Sequence, residues 1–334
     1  MATTKLTLLL AIILTLPGCT GGETPSPPQK DGLAEIGEAL FNDVRLSADG
    51  RTNCAACHLS EFAFTDTRAV SVGAFGRKGT RNAPSLVGLF ERGPQFWDGR
   101  EGALSEAVMQ PLGNPLEMGH DTVAAAMERI ASLPEYRAFF GAEIKATDVS
   151  GALTSYLMSL DAAPSPFERA RAAGDYTLLG ARAKRGLELF QGKAQCANCH
   201  LMDASSSFSD QQFHHASVGF ERIAGNIRPL LARLEQARHS GQPLGRMVLA
   251  DVDIAELGRF AVTSDPKDMG AFRTPSLRNV ARTAPYMHDG SIQSLEAAIE
   301  HELYYRGLTS GRPISLTVEE RSDLAAFLST LSTP

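Results

Sequence analysis

Apolar residues recur along this chain with the period of a helix. Leu153, Tyr156, Leu157 and Leu160 stand at i, i+3, i+4 and i+7, and Leu324, Phe327, Leu328 and Leu331 repeat the spacing near the C-terminus. Each set predicts a helix with one buried stripe. Gly37-Glu38-Ala39-Leu40-Phe41 and Gly186-Leu187-Glu188-Leu189-Phe190 form a second matched pair, predicted as the helices that lead the two halves. Strand-like alternation is almost absent, so the predicted fold class is all-α.

The middle of the chain repeats as well. Pro84-Ser85-Leu86 leads to Asp98-Gly99 and Leu104, and Pro275-Ser276-Leu277 leads to Asp289-Gly290 and Leu295 at the same spacings. One offset therefore superposes the halves, pairing Trp97 with His288 and Pro111 with Glu302, which reads as a domain duplication. The boundary falls between Ala162 and Tyr176, where Pro164 and Pro166 interrupt the helix. Residues 34–165 and 177–334 are the two predicted domains. Glu221 to Gln242 reads as an extra surface helix inserted in the second.

The N-terminus carries a targeting pattern. Lys5 precedes an apolar run, Leu6 to Leu16, too short to span a bilayer. Leu16-Pro17-Gly18-Cys19 resembles a lipobox, so residues 1–18 are expected to be a lipoprotein or plain secretory signal. Residues 19–33, polar and proline-rich, read as a flexible tether. The mature protein is then exported to the periplasm, held at the outer membrane through lipidated Cys19, with no other membrane attachment. A net charge of −6 gives no case for nucleic acid, which calls for a basic face. A mildly acidic surface would suit a basic electron donor.

The chemistry sits in Cys54-Ala55-Ala56-Cys57-His58 and Cys196-Ala197-Asn198-Cys199-His200. C-x-x-C-H is the attachment signal of c-type haem. Cys54 and Cys57, like Cys196 and Cys199, would form thioethers to the haem vinyl groups. His58 and His200 would be the proximal iron ligands. These motifs take four of the five cysteines. The prediction is two cytochrome c-like haem domains in tandem with two covalent haems.

With these motifs the chain resembles the bacterial dihaem cytochrome c peroxidase superfamily, including its MauG branch. Further carriers are Arg81-Asn82-Ala83-Pro84-Ser85-Leu86, Phe96-Trp97-Asp98-Gly99-Arg100 and Pro111-Leu112-Gly113-Asn114-Pro115-Leu116-Glu117-Met118. The second half adds Leu257-Gly258-Arg259-Phe260, Arg273-Thr274-Pro275-Ser276-Leu277-Arg278-Asn279 and Ala284-Pro285-Tyr286-Met287-His288-Asp289-Gly290. The resemblance implies that the N-terminal haem reacts with hydrogen peroxide and the C-terminal haem relays electrons to it. It implies Trp97 as the stepping stone between them and Glu117 as the acid that assists O–O cleavage. Asn82, Thr283 and Pro285 match the family's interdomain calcium site, where oxygen ligands hold a hard cation.

Departures from the family pattern are informative. Members that need reductive activation carry a distal histidine at the position of Ala74, and no histidine occurs between His58 and His120. His120 reads as a loop residue. The first haem is thus expected to be open on its distal side, with Pro111 over the iron as in the MauG branch. For the second haem the sixth-ligand position falls on Glu302. Glu302 or a neighbouring tyrosine (Tyr304, Tyr305) ranks first, His301 next and Met287 last, with His288 near a propionate.

The expected function is a dihaem peroxidase that reduces hydrogen peroxide with electrons from a small cytochrome c or cupredoxin. One alternative is a MauG-like enzyme that oxidises side chains of a partner protein. The other is a non-catalytic dihaem electron-transfer protein.

Overall fold

The structure, a computed structural model, describes residues 32–160, 163–203 and 207–333. The signal, most of the tether and Cys19 lie outside them. Each predicted helix pair forms and crosses at a glycine. In the first half the leading helix Gly32–Asn42 packs on Ala146–Ser159. A Cβ on Gly37 would overlap the Ala152 carbonyl and lie 2.8 Å from Tyr156 Cβ, so only hydrogen fits there. The close approach brings Phe41 against Tyr156 with the rings tilted by 57° and their centroids 5.2 Å apart. In the second half Gly180–Gln191 packs on Val318–Ser329 in the same way. There Gly186 meets the Asp323 carbonyl and Phe190 meets Phe327 at 5.1 Å. Phe41, Phe190 and Phe327 are all at most 3% exposed. Burying each contributes about 1.5–3 kcal/mol.

The predicted boundary is not a bare linker. Pro166 opens the helix Pro166–Ala173, with Ser165 and Glu168 forming a reciprocal cap. Its Phe167 is fully buried against Phe208 and Phe327, so this segment belongs to the second core. The insertion also differs from a single surface helix. It forms Phe220–Ala224 and Ile227–His239, whose Ile223, Leu230 and Leu234 are each 1% exposed. These pack with Met247, Val248, Ile254 and Leu257 into a third, separate core. The apolar stripe inside the inserted segment needed a partner, and the following short helices supply it.

Two short antiparallel ladders join the helices: Arg92–Gln95 with Glu101–Ala103, and Phe213–His215 with Ala271–Arg273. The first ladder frames a turn that an isolated bridge matches in the second half. Gln95 pairs with Glu101 and Tyr286 with Ile292, with left-handed backbone at Phe96 and Met287 and at Gly99 and Gly290. The halves exchange hydrogen bonds reciprocally through these turns. Asn82 N–H donates to the His288 carbonyl at 2.9 Å, and Arg273 N–H donates to the Trp97 carbonyl at 2.8 Å. The offset that pairs Pro84 with Pro275 pairs both donors and both acceptors. Such an exchange is what a two-fold, isologous contact produces.

Candidate functional site

Both C-x-x-C-H motifs adopt one tight turn. The His58 N–H donates to the Cys54 carbonyl and the His200 N–H to the Cys196 carbonyl, each at 3.0 Å. Asn53 caps the first turn through its side chain to Ala56 N–H. Each histidine is oriented from behind. His58 Nδ1 lies 2.9 Å from the Phe64 carbonyl, and His200 Nδ1 lies 2.8 Å from the Phe208 carbonyl. Donation from Nδ1–H leaves Nε2 as the lone-pair nitrogen, the arrangement of a metal-ligating histidine. Paired left-handed residues, Ala63-Phe64 and Ser207-Phe208, turn those carbonyls inward. Burial pulls both imidazoles below the usual histidine range, which keeps them neutral and able to ligate.

The surroundings fit haem. A cavity of about 250 Å³ is lined by Cys196, Cys199 and His200 and walled by Phe190, Ile299, Leu303, Leu324 and Leu328. That is far more than the ~30 Å³ share of a water. Gln211 on its rim has both amide atoms buried without a hydrogen bond among the described residues. Arg81 is 7% exposed, and its Nε and Nη1 likewise find no partner. Burial pulls this guanidinium down to about 10. Buried hydrogens of that kind suit an anion, and haem carries two propionates.

Near the first motif, Glu117 is half-buried and its carboxyl makes no hydrogen bond among the described residues. Burial pushes it up to about 7, with Arg100 opposing. Cys57 Sγ lies 3.8 Å from the Val72 carbonyl, and a Cβ on the next residue, Gly73, would meet the Glu117 carbonyl at 2.5 Å, so the Glu117 loop packs against the segment that touches the attachment motif. Its backbone is fixed by Ala74 N–H, donating to the Glu117 carbonyl at 2.8 Å. Ala74, matched from the sequence to the family's distal histidine, is fully buried. Pro111 begins the turn Pro111–Gly113, and its carbonyl accepts from Met118 N–H. His120 Nε2 bonds the Leu46 carbonyl at 2.8 Å, a loop role as expected.

Trp97 lines the cavity that holds His200, and its Nε1–H donates to the Asn82 carbonyl at 2.9 Å. Asn82, Thr283 and Pro285 line that cavity too. Asn82 Nδ2 donates to the Arg68 and Ala69 carbonyls, which turns its Oδ1 to the opposite side. On the helix Leu295–Ser310, Glu302 faces the cavity, whereas His301 Nε2 bonds the Ala216 carbonyl and Tyr304 is 62% exposed. Met287 also reaches the wall.

Three sets of contacts were not foreseen from the sequence. His288, expected near a propionate, is buried, bonds Glu256 at 2.8 Å and stacks on Phe272 at 3.7 Å. Arg81 lies over the other side of Phe272. His214 pairs with Asp210 beside Cys199. Only the motifs around Arg81 and His288 were visible as patterns, and neither announces its partner.

Comparison with known proteins follows this geometry. A family profile described as di-haem cytochrome c peroxidase matches residues 31–177. The cytochrome-c peroxidase IdrP1 of Pseudomonas sp. (strain SCT) is 34% identical over 322 residues, covering 91% of this chain and 82% of that protein. The methylamine utilization protein MauG of Methylorubrum extorquens is 35% identical over 322 residues, covering 92% and 79%. Among solved structures, a MauG-like protein associated with microbial copper homeostasis matches with a TM-score of 0.69 at 28% identity, covering 95% of this chain and 96% of that one.

Proposed function

This chain belongs to the di-haem cytochrome c peroxidase family, an oxidoreductase family that implies covalent haem c, and we propose that it reduces hydrogen peroxide on the side of His58 with electrons passed from the side of His200. The observation that supports this reading is Glu117, a half-buried carboxyl with no hydrogen bond among the described residues, on a loop packed against the segment that touches the first attachment motif. Bound haem c supplies redox-active iron, and each peroxide takes up two electrons and two protons to give two waters. Glu117 as carboxylate takes the proton from the inner peroxide oxygen and delivers it to the outer one, which leaves as water. A carboxyl poised at about 7 serves both halves of that transfer. The side chains of Pro111 and Ala74 have no atom that could ligate iron, so haem bound at His58 would find no protein ligand from them and peroxide could bind. Trp97, pinned by Asn82, supplies an oxidisable indole between the two centres.

The matched turns and glycine crossings support two haem domains related by duplication. Asn82 Oδ1 with the Thr283 and Pro285 carbonyls is a donor set for calcium, tested by chelator-dependent change in the haem spectra. Export and lipidation at Cys19 place the enzyme in the periplasm, tested by loss of labelled palmitate in Cys19→Ala.

A second reading, oxidation of a partner protein's side chains, is favoured by Ala74 and Pro111 together with the likeness to MauG. The two separate in one experiment. Rapid peroxide turnover with a reduced small cytochrome c or cupredoxin supports the peroxidase. Slow turnover with a long-lived state two electrons above ferric supports protein oxidation.

A further inference from the structure

The cavity of the second motif has an apolar wall with one acid on it, and that acid is tethered. On the helix Leu295–Ser310, Ile299, Glu302, Leu303 and Arg306 stand at i, i+3, i+4 and i+7, and all four line the cavity. This face of the helix carries one carboxylate and one guanidinium, a turn apart, with Arg306 Nε 3.4 Å from Glu302 Oε2, and Arg273 lines the same chamber from the strand Ala271–Arg273. Glu302 Oε1 makes no hydrogen bond among the described residues. His200 and Cys196 line the same cavity. The pair is part-exposed, with side-chain exposures of 37% for Glu302 and 32% for Arg306, so water reaches it as well as the chamber. At the repeat-related position the first half has Pro111, which cannot ligate at all.

We propose that Arg306 is a positioning residue for the second iron: it engages Glu302 through Oε2, so that Oε1 is presented to the coordination place opposite His200 and donates less charge than a free carboxylate would. This deepens the reading of a second, electron-storing haem and rests on it. An anionic oxygen ligand favours ferric over ferrous iron, and a guanidinium on its other oxygen moderates that preference.

The test uses full-length holoprotein, with potentiometric titration followed by absorption and electron paramagnetic resonance. In Arg306→Ala the ferric-to-ferrous ratio of the second haem at a fixed potential rises about tenfold, a downward shift of about 59 mV for one electron. Arg306→Lys recovers most of the shift. Glu302→Ala changes that haem's ferric resonance, and adding Arg306→Ala to it produces no further shift, because the two residues act as one unit. A Glu302→Ala protein with an unchanged resonance overturns the proposal. So does an Arg306→Ala shift that persists undiminished in the Glu302→Ala background, which would make Arg306 a through-space charge only. Haem content and cyanide binding at the first haem are scored on the same samples. If both are normal while these shifts fail, the positioning role falls and the peroxidase reading stands. A protein without two covalent haems sinks both.

Discussion

Replacing Glu117 by Gln keeps the side chain's shape and removes its proton. Burial holds the native carboxyl at about 7 against an ordinary value of 4.5. A shift of one unit corresponds to about 1.4 kcal/mol, so the charged form costs at most about 3.5 kcal/mol, and less to the extent that water reaches this half-buried position. The sign is fixed by proton counting. Between pH 4.5 and 7 the folded chain keeps a proton that the unfolded chain releases. Stability therefore falls as pH rises through that window, and stays lowered above it. Glu117→Gln lacks this loss, so in denaturant titrations the gap between the two proteins widens in its favour from pH 4.5 to 7. Activity moves the other way. A positioned acid–base group contributes about 10²- to 10⁴-fold, so stopped-flow mixing with peroxide at pH 8 should show a rate lower by that factor. The native rate rises with pH through about 7 as the carboxylate forms, and the variant's stays flat. A variant that retains the native rate and its pH rise would remove Glu117 from the chemistry, whatever its stability.

Two further outcomes follow from packing and from the indole. Gly186→Ala drives a Cβ into the Asp323 carbonyl and within 2.7 Å of Phe327 Cβ, so the crossing must open. The cost is about 1–3 kcal/mol, seen as a lower thermal midpoint, whereas Gly151→Ala, with nothing within 4 Å, should leave it unchanged or raise it. Trp97→Phe loses the bond to Asn82 and the more oxidisable ring. Peroxide should then react at its native rate while oxidation of the second haem lags, and a lag-free second phase would remove Trp97 from the path.

Periodicity made the helical framework legible, because a stripe such as Leu324, Phe327 and Leu328 has no stable alternative to burial against a partner helix. The attachment motifs were legible because covalent haem needs fixed local spacing. What holds the histidines was not. Phe64 lies six residues after His58 and Phe208 eight after His200, so an offset count cannot pair the two carbonyls that orient them. The inserted stripe of Ile223, Leu230 and Leu234 showed that it would be helical but not that later short helices would bury it. Counting also left Glu302 competing with its neighbours, since a slip of one residue turns a helix by about 100°. The face of the helix that meets the cavity carries Glu302 and Arg306, while His301 is tied to Ala216.

The central proposal is a coordination place left free on haem bound at His58, on the reading that Pro111 and Ala74 take the positions a distal ligand would fill. Cyanide added to freshly purified ferric holoprotein tests it most directly. The account predicts a shift of the absorption bands and conversion of one haem, the first, to a low-spin cyanide form. Bands that do not move under excess cyanide would contradict it.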